Sequence, residues 1–144
     1  SLDRRQRQMC IRDRVMAPNN LLGYITKPAY WINGSRSTCS IGSIDEGWQN
    51  SEIYDLFVDN EENIFMAGFS QDMDSEYPTY WKNCEKHVLL NGEVTGVIRS
   101  IKVIDGKVIS AGTQSYFPGI PCIWVGVKNS TYMMKNLWVK FGTC

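Results

Sequence analysis

The chain has 144 residues, 43% hydrophobic and 12% aromatic, with 12 glycines and 5 prolines, enough apolar matter for one packed domain and too much for disorder. Formal charge is zero, but residues 1–14 hold five arginines against Asp3 and Asp13, which leaves 10 basic and 13 acidic residues, a net of −3, in the remainder. Such a body lacks the clustered Lys and Arg that neutralise phosphates, and no apolar run is long enough to span a bilayer, so composition argues against nucleic-acid binding and a transmembrane helix.

The first fourteen residues have no helix or strand period. Arg5-Gln-Arg-Gln-Met-Cys-Ile-Arg-Asp-Arg14 resembles translated sequencing-adaptor read-through at the ends of reading frames assembled from environmental DNA. Residues 1–14 are therefore expected to be a non-native tail that makes few contacts, and residues 15–144 a repeat region. Leu21-Leu22-Gly23-Tyr24 reads as the last strand of a partial unit at 15–24.

From there a phrase recurs. Tyr30-Trp31-Ile32-Asn33-Gly34 returns as Tyr80-Trp81-Lys82-Asn83-Cys84, with an echo in Ile123-Trp124-Val125-Gly126. Ile53-x-x-Leu56-x-Val58 matches Ile98-x-x-Ile101-x-Val103, and Ala67-Gly68 matches Ala111-Gly112. The Trp-to-Trp spacings are 50 and 43 residues and the Ala-Gly spacing is 44. Self-similarity of that length marks a repeat architecture. In the unit at 29–69, strands are expected near 30–32, 37–41, 53–58 and 64–67, with Asn33-Gly34 as a hairpin turn. In the unit at 79–113, strands are expected at 79–83, 86–90, 97–104 and 108–111. Asp105-Gly106 selects a type I′ turn there, because both central residues tolerate positive φ. A further partial unit occupies 122–144, with Met134-x-x-Leu137-x-Val139 as its third-strand phrase.

Four short antiparallel strands per unit of about 40–50 residues is the pattern of a β-propeller blade. The expected fold is all-β: a partial β-propeller with two complete four-stranded antiparallel blades and partial flanking ones. Tyr80-Trp-Lys-Asn83 and Ser100-Ile-Lys-Val-Ile-Asp-Gly-Lys-Val-Ile-Ser-Ala-Gly112 resemble the blades of uncharacterised propeller-like repeat proteins common among secreted and lipid-anchored proteins of Bacteroidetes-type bacteria. The resemblance covers residues 21–144 and departs at Cys84, where the motif has Gly. It implies export to the cell surface or beyond and a binding role, with no activity attached.

Recurrence at one position per unit assigns Tyr30, Trp31, Tyr80, Trp81 and Trp124 to packing between units rather than to a ligand platform. Trp48, in the polar loop 42–50, is the better contact residue, because loops carry function more often than scaffolds do. Asp72, Asp74 and Glu76 place carboxylates at alternate positions of one loop and are weak binding candidates. They fail the Ca²⁺-loop pattern, with Tyr77 at its glycine position and Asn83 at its closing glutamate, so no metal is expected. Cys84-x-x-His87 is half of a zinc pattern without a second half, and adjacent residues on one hairpin make a poor Cys–His catalytic pair; a packed thiol beside a surface imidazole is expected. Cys10, Cys39, Cys84, Cys122 and Cys144 suggest no disulfide framework. No phosphate loop, nucleophile elbow or catalytic carboxylate pair stands out. The expected function is a non-catalytic binding scaffold, without cofactor, for a protein or glycan partner. The alternative is part of a propeller hydrolase or lyase whose active-site blades lie elsewhere. A stretch with uncovered blade faces is expected to self-associate.

Overall fold

The computed structural model describes residues 13–15, 25–39, 50–115, 119–126 and 131–132. They form antiparallel β-sheets, and no α-helix occurs among them. β1 (Asp13–Val15) pairs with β2 (Ile25–Lys27), and β3 (Ala29–Ile32) with β4 (Ser35–Thr38). β5 (Asn50–Val58), β6 (Ile64–Gln71), β7 (Glu76–Lys82) and β8 (Glu85–Val88) make a four-stranded meander. After a short 3-10 turn at Leu89–Gly92, a second meander follows: β9 (Gly96–Ile104), β10 (Lys107–Gln114), β11 (Ile120–Val125) and β12 (Thr131–Tyr132).

The turns obey the local chemistry of their sequences. Asn33 and Gly34 have φ of 50° and 79°, and Asp105 and Gly106 have 49° and 72°, the left-handed pair a type I′ hairpin requires. In the 59–63 turn, Asp59 Oδ1 accepts the backbone N–H groups of Glu61 at 2.9 Å and Asn63 at 2.8 Å. The next hairpin is tied to this turn by Asn83. Its N–H donates to the Ile64 carbonyl, and its Oδ1 accepts from the Ile64 N–H, both at 2.9 Å. Its amide also donates to Asn63 Oδ1 at 2.9 Å, so the asparagine of the Tyr-Trp-Lys-Asn phrase clamps two turns together.

The recurring phrases occupy matching places. In β5–β6, Ile53 pairs with Gly68 and Asp55 with Ala67, which leaves Tyr54 as a bulge. In β9–β10, Ile98 pairs with Gly112 and Ser100 with Ala111, which leaves Arg99 as a bulge. The glycine is required in both. A Cβ on Gly68 would lie 1.7 Å from the Glu52 carbonyl oxygen, and one on Gly112 2.0 Å from that of Val97. Bulged backbone crosses so closely that no side chain fits beneath it. Gly112→Ala is expected to cost several kcal/mol in chemical unfolding, because backbone rather than a flexible side chain must move. A cost no larger than that of Gly106→Ala, where a Cβ would meet nothing within 4 Å, would remove this account of the Ala-Gly phrase. The third phrase matches too. Trp81 stands two residues beyond the partner of Gly68, and Trp124 two beyond the partner of Gly112.

The sheets stack face to face. One face of β5–β8 (Phe65, Ala67, Tyr80) packs with Leu89 against Ile98, Ile101, Cys122 and Trp124 of the following meander. The other face (Met66 and Trp81, flanked by Ile53, Leu56 and Ile64) packs against Tyr30 and Cys39 of the preceding hairpin. Between these layers Asp55 Oδ2 accepts from the Ile101 N–H at 2.8 Å and from Ser100 Oγ at 3.0 Å. On the other side, Ser51 N–H donates to Thr26 Oγ1 and Ser51 Oγ to the Thr26 carbonyl, both at 3.2 Å.

The expected grouping of strands into units is revised. The sequence units at 29–69 and 79–113 are each divided between two sheets: a four-stranded sheet runs from 50 to 88 and another from 96 to 132. Most strands overlap their expected positions, though β4 spans 35–38 rather than 37–41 and β8 stops at Val88, where a strand to 90 was expected; a period does not set its own phase. The four residues 72–75 make a hairpin, whereas 89–95 carry the chain across to the next layer. The sheets are open and do not close into a ring. Of residues 1–14, Asp13 and Arg14 are described and pair in register with Lys27 and Thr26; residues 1–12 lie outside the described residues. The partial units at 15–24 and 122–144 and the Met134-x-x-Leu137-x-Val139 phrase lie largely outside the described residues.

The cysteines depart furthest from expectation. Cys39, just past β4, is joined to Cys84 in the β7–β8 turn, 45 residues on. Cys84 is therefore no packed thiol. Its φ of 71° is the left-handed angle that Gly34 adopts in the earlier hairpin, so a cysteine stands where the motif has glycine because the disulfide needs its sulfur there. An L-residue in that conformation costs on the order of 1 kcal/mol, which a disulfide closing a long loop offsets several times over.

Candidate functional site

An open groove of about 570 Å³ lies at the seam of the 72–75 turn, β8 and the 89–92 turn. Asp72, Tyr77, Lys86, His87, Asn91 and Gly92 line it. Each reaches it for a local reason. Asp72 ends β6 and folds the turn over itself: its Oδ1 accepts the N–H groups of Asp74 and Ser75, each at 2.9 Å. Burial works against its charge, but those two hydrogen bonds and one from the Tyr77 hydroxyl outweigh it and hold the carboxyl below its ordinary range. The same bond to Asp72, then burial, then the Asp72 charge push the Tyr77 hydroxyl upward. At groove pH the pair is a fixed carboxylate and a neutral phenol.

The opposite wall is backbone under strain. Leu90 and Asn91 both have φ of 51°, and Gly92 has 78°. Three successive left-handed residues are rare, and a bulky leucine among them is an outlier. The Glu93 N–H donating to the Leu90 carbonyl at 2.9 Å closes this turn. It leaves Asn91 exposed and seats Gly92 against the Tyr77 ring, where a Cβ would be 3.7 Å away.

The floor is set by β7–β8 pairing. His87 lies opposite Tyr80, and their rings stack at 4.8 Å and 22°. Tyr80 faces the core, and burial, helped by the Glu85 charge, pushes its hydroxyl up to about 12. His87 Nε2 also lies 4.0 Å from Glu85 Oε2. Its imidazole is thus held between a core phenol and a surface carboxylate, with Cys84 engaged elsewhere, and the two do not form a nucleophile–base pair.

Of the binding residues singled out from sequence, Asp72 lines the groove, beside His87, which the sequence offered only as half of a zinc pattern. Asp74 is exposed and does not line the groove, though its charge adds to the upward push on the Tyr77 hydroxyl. Glu76 starts β7 opposite Gln71. Trp48 lies outside the described residues. Among the described residues no three His, Cys, Asp or Glu side chains stand close enough to share a metal ion. Cys122 is buried, and burial raises its thiol against a hydrogen bond to Gln114, the setting of an unreactive cysteine. Sequence reading missed Tyr77, His87 and Asn91 as neighbours, because the groove forms only when the strained turn folds back over β8. A usable signal was present: Pro28, Pro78 and Pro121 each precede a repeated Trp by three residues, and Tyr77-Pro78 marks where β8 stops pairing.

Comparison with known protein families, curated proteins and solved structures finds no match. Among the described residues no helix is long and apolar enough to cross a membrane.

Proposed function

We propose that this chain is a non-catalytic binding module of an exported, propeller-like bacterial protein, and that the groove beside Asp72 takes a hydroxyl-rich ligand, a glycan. The observation that carries the ligand class is the fixed Asp72 carboxylate beside the Tyr77 ring and the exposed Asn91 amide. A carboxylate already held by backbone donors accepts further hydroxyl hydrogens without reorganising, an amide offers both donor and acceptor, and an aromatic ring takes the apolar face of a sugar. The open, shallow shape suits part of a chain better than an engulfed small molecule. Export rests on the Cys39–Cys84 bridge, since such bonds persist in oxidising compartments. The propeller-like reading rests on stacked four-stranded sheets with matching bulges.

A glycan array followed by calorimetry tests the ligand. Binding to at least one saccharide class is expected, and Asn91→Ala should weaken it about tenfold, the worth of one good hydrogen bond, with unfolding lowered by no more than about 1 kcal/mol for the left-handed backbone at 91. No saccharide binding, or equal binding by Asn91→Ala, would refute the glycan reading.

A further inference from the structure

We infer that this chain associates head to tail with a second copy of itself, through two faces that match contacts already made twice within the chain. The inference stands apart from the glycan reading, because neither face includes the groove.

Each layer presents one face toward the layer before it and one toward the layer after. The forward face of β5–β8 carries Phe65, Ala67 and Tyr80, exposed by 2%, 0% and 3%. The corresponding positions of the next sheet are Ile109, Ala111 and Ile123. Ala111 pairs with Ile123 across β10–β11 as Ala67 pairs with Tyr80 across β6–β7, so the two patches have one geometry. Yet Ile109, Ala111 and Ile123 are only half-buried. Among the described residues no layer covers this face as β9–β11 covers its equivalent.

The backward face is read from the tryptophans. Trp81 and Trp124 are exposed by 0% and 2%, each pressed on a neighbouring layer. Trp31 takes the same place in its hairpin. Its neighbour Tyr30 packs forward on the Trp81 cluster, so by strand alternation Trp31 points backward. It too is only half-buried. Of these two half-buried faces, which no further layer of the described residues covers, one is the forward type and the other the backward type. Forward-on-backward is the contact formed between β3–β4 and β5–β8, and again between β5–β8 and β9–β11. A second copy offers the missing half of each. The two surfaces differ, so the contact is heterologous and adds copies in one direction, into a ring or a filament.

Trp31→Glu and Ile109→Glu test this in the full chain by sedimentation. Both positions are half-buried, and thermal unfolding checks that each variant folds; Trp31→Gln and Ile123→Gln serve if either does not. The wild-type chain is expected to gain mass with concentration. Each variant alone should stay monomeric, because every copy lacks the same half of the contact. An equimolar mixture should form a species of about twice the monomer mass and nothing larger, since one intact face of each kind remains. A wild-type chain that stays monomeric, its patch covered from within, overturns the inference. So do variants that still self-associate, or a mixture that stays monomeric.

Discussion

Trp81→Ala is expected to cost about 3–5 kcal/mol of unfolding free energy, the largest loss of any single side-chain truncation among the described residues. The indole is fully buried on the face that holds Met66 and meets Cys39 and Tyr30 of the preceding hairpin. Truncation leaves a cavity between two sheets, and sheets pinned by hairpins and a disulfide collapse poorly into it. Trp31→Ala removes the same side chain at the matching position but from a half-open face, and should cost under about half as much. Urea unfolding of both variants measures the difference. Equal costs would mean that packing between layers does not hold this fold together.

Replacing Cys39 and Cys84 by Ser is expected to cost about 4 kcal/mol, from the loop entropy that a bridge across 45 residues removes from the unfolded chain. A second variant separates that term from backbone strain. With Cys39→Ser held constant, Cys84→Gly should be more stable than Cys84→Ser by about 1 kcal/mol, because position 84 sits at a φ of 71°. Reductant should destabilise the parent chain and leave both variants unmoved. A parent chain indifferent to reductant would show that the bridge contributes nothing.

The strands were legible because their signals are local. Asp105-Gly106 fixes a turn, Ile101 and Val103 alternate with Lys102, and the period appears in the Trp and Ala-Gly phrases. What stayed hidden depends on which distant strands share a ladder. The Ala-Gly strand pairs on both sides, and nothing in its sequence says whether the Tyr-Trp strand beside it belongs before or after. Cys84 was noticed as a departure from glycine, yet the departure was half of a bond whose other half lies in another layer. Spacing along the chain cannot show that, since Cys39 and Cys84 occupy different places in their units. The groove was illegible for a further reason. Its wall is a leucine and an asparagine in conformations that propensity disfavours, and only the fold holds them there. Asp72 was found for its charge; its actual work is to hold a turn.

The bulges at Tyr54 and Arg99 have a consequence for how such a chain can diversify. Both residues fall outside the ladder, and the Arg99 guanidinium lies 4.0 Å from the centre of the Tyr54 ring, so successive layers touch through the very positions that pairing leaves unconstrained. Substitution there removes no ladder pair, although the Tyr54 ring also meets the buried Phe69 ring at 6.1 Å. Along the rim of the stack each of these two layers thus keeps one letter outside its ladder, adjacent to the next. Lengthening the stack lengthens that row of letters without asking the glycine-backed framework beneath it to change.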